Sequence, residues 1–521
     1  MVIAILTLVC GGIVCAYVFH RFLLQFTQHA KEPPAIETGI PFITPLVGMI
    51  REKSKYYVRL RDTHRLPIYT LRLPFSRMYI VNATNLIPEL QKYWRTVSFA
   101  AIAADAGGTV GLSKESVELM HQDLTSEDGF SLSWPKGVTS AMGPGKDLDA
   151  INRRAIEVFS SEMETLRADG TVKVGLWQWT RHIMDLATTE AVWGPKNPYR
   201  DAAVAEAWKV FDSGFLTLTV FPLASLFFPK LMRARELAAA ALIDYMRAGG
   251  HKTASGLVRE RYKHHVERFG FSLEDFGRGE LGNTFAVLGS STPCALWVLY
   301  HIFSDDRVLA DVRREVSFMV RVKDDGQGGK CSSIDLASLK TSCPILLSTF
   351  QETMRCRSVA PGPRVLLEDV VLDGQYLLRK GSMLMIPTPV QHTDTSAWGE
   401  DAGVFDHMRF VREPGRKRPN RVAFRAFGGG HILCPGRHFA STEIMALAAL
   451  LVLQFDVIPV AGKWVEPTWE NSPLQSGFPV PDEDIQVELR PRDPGMKWNV
   501  TFSGSDEVMQ IAMEDITGAE D

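Results

Sequence analysis

One cysteine near the C-terminal end constrains this chain more than any other feature. It sits in Phe427-Gly-Gly-Gly-His-Ile-Leu-Cys434-Pro-Gly436-Arg-His-Phe-Ala440, a glycine-rich loop that runs into an apolar stretch over residues 439–453. The apolar stretch reads as a helix. Cys434 therefore stands at a helix N-terminus, where backbone N–H groups and the helix dipole favour a thiolate. The glycines allow the sharp turn and close approach that a flat bound group requires. Phe427 is placed to shield the sulfur from water. Without that spacing the same cysteine would read as a buried, inert thiol in a turn.

The spacing Phe-x-x-Gly-x-x-x-Cys-x-Gly resembles the haem-binding loop of the cytochrome P-450 family. The resemblance implies a mainly α fold with small β-sheets and haem b as cofactor. It makes Cys434 the axial ligand of the haem iron, a thiolate that pushes electron density toward bound oxygen and favours O–O cleavage. Phe427, Gly436 and Arg437 then belong to the cofactor-binding loop. The match departs from the family pattern two residues before the cysteine, where Ile432 replaces a basic residue that pairs with a haem propionate. His431 is adjacent, but its side chain should point another way. Arg364 is the better candidate for that contact. The family's Trp-x-x-x-Arg, which serves the other propionate, has no counterpart in Asp147-Leu-Asp-Ala-Ile-Asn152-Arg153.

A net charge of −3 over 521 residues excludes a generally basic nucleic-acid binder. The seven cysteines show no C-x-x-C or other metal-type spacing, which fits a reducing compartment with no disulfide framework.

Residues 2–19 are an uncharged apolar run, close to the length needed to cross a bilayer core of about 30 Å. His20, Arg21 and Lys31 follow and no basic residue precedes, so the positive-inside rule places the N-terminus in the lumen and the following chain in the cytosol. A cleaved signal peptide would carry a basic n-region and a small-x-small cleavage site, and neither is evident. The expected layout is a membrane anchor over 1–21, a proline-rich linker over 22–48, a catalytic domain over 49–502 and an acidic, disordered tail over 503–521. Prolines 33, 34, 41 and 45 favour a stiff, extended connector, as in microsomal family members. The expected location is the endoplasmic reticulum membrane, single-pass, with the catalytic domain cytosolic. The sequons at Asn82 and Asn499 should then stay unmodified.

Residues 66–81 read as a β-hairpin around Pro74-Phe-Ser, and residues 369–387 as further strands. Residues 100–145 are rich in glycine and small polar residues and read as a long irregular stretch, which in the family lies over the haem. Residues 147–304 carry mostly helical periodicity. Within them, residues 220–232 are strongly apolar and read as either core or a surface that dips into the membrane.

A long helix is predicted from Glu274 to Ile302. Where most monooxygenases of the family carry an acid followed by threonine, this helix offers Gly289-Ser290-Ser291-Thr292-Pro293. Aligned on Pro293 and Trp297, a pattern similar to the sterol 7-hydroxylase and prostacyclin synthase branch, Ser290 takes the acid position and Ser291 the threonine position. Ser291 and Thr292 are the candidate catalytic hydroxyls, and Pro293 frees a carbonyl and kinks the helix. The bland reading of these hydroxyls is ordinary back-bonding to the helix.

Glu352 and Arg355 share one helix face, and Arg409 lies in Phe405-Asp-His-Met-Arg409-Phe410, a partial match to the family's Pro-Glu-Arg-Phe element. The resemblance assigns these three a structural role around the cysteine loop. Basic residues from Arg416 to Arg421 with Arg425 suggest a docking face for an acidic reductase surface.

The resemblance thus implies a membrane-bound monooxygenase that uses O2 and NADPH through a cytochrome reductase. Its substrate would be an apolar small molecule, terpenoid, sterol-like or polyketide, as in filamentous-fungal secondary metabolism. Two other readings stand beside it. One is an isomerase or dehydratase that rearranges a peroxide without reductase, since the acid is missing. The other is a haem-based sensor, for which no signalling domain is present.

Overall fold

A computed structural model describes residues 2–504, apart from 37–38, 222, 325–329, 413 and 415–418, and apart from the side chains of 2–10, 13 and 224. The acidic tail from residue 505 and Arg416, Lys417 and Arg418 of the basic run lie outside the described residues. The chain forms two compact units. The first comprises Met1–Ile102, Val359–Ala402 and Val422–Ile432, and the second Ala103–Ser358, Gly403–Arg421 and Leu433–Asp521.

The first unit is built on a five-stranded sheet in the order Ile68–Leu73, Ser76–Val81, Met383–Met385, Pro363–Leu366, Val97–Ser98. The predicted hairpin is present, antiparallel, with Ile68 opposite Val81 and Leu73 opposite Ser76. Side chains alternate across a strand with period two, and here both faces are buried. Ile68, Tyr79 and Val81 pack with Leu366 and Leu384. Tyr69, Leu71, Met78 and Ile80 pack with Tyr56, Tyr57 and Leu60 of the helix Ser54–His64. The strands expected in 369–387 are also present, at Val370–Leu372, Tyr376–Leu378 and Met383–Met385.

The chain enters this unit through helix α1, Val2–Thr27. Its last turn is tied down: Leu24 is buried, and the Thr27 carbonyl accepts from Arg72 at 3.2 Å and Arg77 at 2.9 Å. The proline-rich segment then runs extended beside the hairpin, Thr70 donating to the Pro34 carbonyl at 2.8 Å and Ile36 to the Thr70 carbonyl at 3.1 Å. The extended reading fails further on. A helix begins at Ile43 and runs to Glu52, with Pro45 in its first turn, where a missing N–H costs no hydrogen bond. Asn82 of the first sequon is buried, its amide donating to the Leu66 carbonyl.

The second unit is mainly helical. Its principal helices are α2 (Lys146–Asp169), α3 (Leu176–Trp193), α4 (Ala202–Val220), α5 (Leu273–Leu288), α6 (Ser291–Phe303), α7 (Pro344–Arg357) and α8 (Arg437–Gln454). Two of them form its centre. Every residue of α6 is buried, and so is α8 from His438 to Gln454 except Ala440. A helix without a polar face is stable only inside, and each large apolar side chain placed there contributes about 1.5–3 kcal/mol. The stretch Leu273–Phe303 is long and apolar enough to cross a membrane, but its most apolar part is mostly buried within the molecule.

Three expectations change. The single helix from Glu274 to Ile302 is two helices, α5 and α6, broken at Gly289–Ser290. Pro293 falls in the first turn of α6 and offers no N–H to the Gly289 carbonyl, so the chain restarts there instead of bending through. The region 100–145 is not irregular but carries short helices at Ala100–Asp105, Gly107–Val110, Lys114–His121 and Phe130–Met142. The apolar stretch after α4 is not core, since Val220, Phe221, Leu223, Leu226 and Phe227 are all exposed. Among the described residues the cysteines are free thiols.

Candidate active site

The cysteine loop closes through two glycines in the left-handed region, Gly428 at φ 79° and Gly430 at φ 62°. At Gly430 a Cβ would also meet the Gln91 side chain at 2.7 Å, so the loop needs glycine there twice over. His431 does point elsewhere, as expected: its ring stacks on Trp94 at 4.4 Å.

In the second unit Cys434 is partly exposed at the start of α8. Desolvation pushes its thiol up, and the backbone N–H groups of Gly436 and Arg437 and the Arg437 charge oppose that. A side chain at position 436 would begin 3.8 Å from the Cys434 sulfur and from the end of Met142. Arg437 donates to the Cys434 carbonyl at 3.1 Å. Lys340, a residue the sequence did not single out, is buried and donates to the His438 carbonyl at 2.8 Å, fixing the first turn of α8.

Arg364 is buried in the first unit, with its guanidinium near the Phe99 ring and bonded to its own neighbour's carbonyl, that of Pro363. Burial, and then the charge of Arg425, pull its pKa down to about 9. It has no carboxylate partner among the described residues. Two like charges buried together are unfavourable unless an anion joins them, so the residues present fit an anionic, flat cofactor. Arg425 corrects the sequence reading: it is 6% exposed and is not part of a docking face. Its backbone N–H donates to His392 at 2.8 Å.

Glu352, Arg355 and Arg409 are brought together as expected. Arg355 forms two 2.7 Å hydrogen bonds to the Glu352 carboxylate, and Arg409 adds one at 3.0 Å. All three are buried. His407, at the family's proline position, is buried and pairs with Asp311 at 3.0 Å.

At the α5–α6 break the hydroxyls diverge. Ser291 donates to the Val287 carbonyl at 2.7 Å, the back-bond of an ordinary helix serine, and lies near enough to Glu443 to act on its carboxyl. Thr292 donates to Asp185 of α3 at 3.1 Å. Ser290 lies against Gly477, where a Cβ would meet its hydroxyl at 2.6 Å. Glu443, from α8, accepts from Thr188 at 2.8 Å and is pushed up to about 8 by burial. The acid missing from the helix is thus met by carboxyls from α3 and α8. No local pattern could have disclosed Asp185, because it approaches from a helix more than a hundred residues away.

Comparison with known proteins decides what these residues belong to. A "Cytochrome P450 monooxygenase nodJ" from Hypoxylon pulicicidum is 31% identical over 473 residues, spanning 89% of this chain and 90% of that protein. This chain belongs to the cytochrome P450 family. The family model for cytochrome P450 matches residues 285–489, which include α6, Glu352 and the cysteine loop. A 25-hydroxycholesterol 7-alpha-hydroxylase from Rattus norvegicus is 25% identical over 247 residues, 45% of this chain and 59% of that protein. The retinoic acid bound cyanobacterial CYP120A1 matches the fold with a TM-score of 0.67 at 18% identity, over 88% of this chain and 99% of that one. The chain is a cytochrome P450 monooxygenase, with haem iron as cofactor and NADPH and O2 as cosubstrates through a reductase.

Proposed function

We propose that this P450 is a membrane-bound haem-thiolate enzyme of secondary metabolism, oxidising a terpenoid, sterol-like or polyketide substrate. The observation that carries the thiolate assignment is Cys434, with two backbone N–H groups directed at its sulfur. Cys434 would hold the iron, Arg364 and Arg425 would supply positive charge to the propionates, and Phe427, Gly436 and Arg437 would belong to the cofactor-binding loop. Glu352, Arg355 and Arg409 brace α7 against the segment before that loop. Haem, when bound, supplies the iron at which dioxygen is activated.

Monooxygenation consumes substrate, dioxygen, two electrons from NADPH and two protons, and yields hydroxylated product and water. The chain's own task is then to bind an apolar substrate, exclude bulk water and move protons. Ser291 and Thr292 hold exchangeable protons at their Oγ atoms, backed by Glu443 and Asp185. Those carboxyls favour proton-dependent chemistry over rearrangement of a peroxide. The sterol-like class draws on the similarity to a sterol hydroxylase, and the secondary-metabolite class on the fungal relative. The exposed apolar side chains of α1 and of Val220–Phe227 support the membrane assignment.

The test uses full-length enzyme, reductase and a panel of terpenoid, sterol and polyketide substrates, with and without NADPH and oxygen. Product should require both, and Cys434→Ala should lose the carbon monoxide difference band of thiolate-ligated ferrous haem. A retained band in that variant would assign the iron to another ligand, and product formed without oxygen or NADPH would restore the rearrangement reading.

A further inference from the structure

We propose that Asp185, Arg181 and Asp212 form the proton inlet of this enzyme, with Asp185 supplying to Thr292 from α3 the acid that the α5–α6 break lacks. The inference rests on the reading of that break as the oxygen-side proton donor.

The geometry is continuous. Thr292 bonds to Asp185 at 3.1 Å. Arg181, one turn earlier on α3, stands 3.6 Å from Asp185 and 3.2 Å from Asp212 of α4. Arg181 thus bridges two carboxyls that would otherwise repel. All three line a pocket bounded also by Trp177, Gln475 and Ser476, and Thr292 and Pro293 form another part of its wall. One pocket therefore reaches both the acid–base chain and the freed carbonyl at the helix break.

Among the described residues, the charged and polar groups that act on Asp185 are Arg181 and His182 on its own helix, Lys209 and Asp212 from α4, Thr292 from α6, Glu443 from α8 and Tyr199. Burial raises Asp185 despite the nearby cations, and it pushes Asp212 up to about 6. Both carboxyls are thus displaced toward neutral pH, where a group that relays protons must titrate. In the transfer, protonated Asp185 donates to the Thr292 oxygen, reversing the hydrogen bond between them, and the Thr292 hydroxyl proton passes to the atom of dioxygen that the reaction reduces to water. Asp185 is left as a carboxylate paired with Arg181, and it recovers a proton from Asp212 through water in the pocket. No electrons move and no bond between heavy atoms changes.

Asp185→Asn keeps an oxygen that can accept from Thr292 but cannot carry the proton. In the holoenzyme with reductase it should lower product formed per NADPH roughly tenfold and raise peroxide release, with substrate affinity by spectral titration unchanged. Asp185→Glu should restore most of the coupling. A second readout needs no turnover. In infrared titration the carbonyl band of protonated carboxylic acids should lose the Asp185 component in D185N, and the Asp212 midpoint should move down as a like charge is removed. Unchanged coupling together with an unchanged infrared titration overturns the inlet and leaves the monooxygenase reading in place. A wild-type enzyme that forms product without oxygen or NADPH overturns that reading, and the inlet falls with it.

Discussion

Glu443 shows how far burial alone can move a carboxyl. It is 1% exposed, and one of its oxygens has no hydrogen-bond partner among the described residues. Its pKa rises from the usual 4.5 to about 8, with burial the largest cause and the hydroxyls of Thr188 and Ser291 opposing it. The folded protein therefore holds a proton that the unfolded chain has released between those two values. The stabilisation from this group is full below about 4.5 and is lost as pH rises through about 8. Glu443→Gln, which cannot ionise, should flatten the fall in stability across that window and leave the variant the more stable of the two above it. Denaturant midpoints measured from acid to mildly alkaline pH check this. An unchanged pH slope would mean that Glu443 is ionised in the folded state. Single residues were legible in the sequence where their role is local. Cys434 was, because its neighbours in the chain create its surroundings. Arg425 was not, because four charges just upstream suggested a solvated run and only the fold shows it buried beside Arg364.

At the scale of elements, the Glu352–Arg355–Arg409 group joins α7 to the segment before the cysteine loop. Replacing Glu352 with Gln removes the carboxylate that Arg355 and Arg409 share and leaves two guanidinium charges in a buried site. Breaking such a network costs about 3–5 kcal/mol, chiefly from the charge left behind. The midpoint of chemical unfolding should fall accordingly. Glu352→Gln combined with Arg355→Met and Arg409→Met, which removes all three charges, should cost less than Glu352→Gln alone. Equal losses would show that packing, not charge, dominates. The spacing of Glu352 and Arg355 disclosed the pair, since i and i+3 meet on any helix. The break between α5 and α6 was harder to read. Proline is disruptive inside a helix and favourable in its first turn, and only the placement of Ser291 as the first residue of α6 distinguishes the two.

At the scale of the whole molecule, two segments among the described residues carry a run of exposed apolar side chains. On α1, Val14, Val18, Phe19, Phe22 and Phe26 are exposed, and beyond α4 so are Val220, Phe221, Leu223, Leu226 and Phe227. Burial in a bilayer would contribute about 1.5–3 kcal/mol for each large side chain, and such segments on a folded protein mark an interaction surface. The two should act with different strength. Helix α1 is long enough to span the bilayer, whereas the segment after α4 can only dip into it. Truncation after residue 21 removes the predicted anchor and keeps Leu24 and the Thr27 carbonyl that Arg72 and Arg77 hold. The truncated protein should fold, be released from membranes by high salt or alkaline carbonate, and still associate weakly with lipid vesicles. Adding Leu226→Glu and Phe227→Glu should abolish that residual association and leave thermal stability unchanged, since both side chains already face outward. Retention of the truncated double variant on vesicles would place the second contact elsewhere on the surface, and resistance of the truncated protein to carbonate extraction would show that α1 is not the anchor.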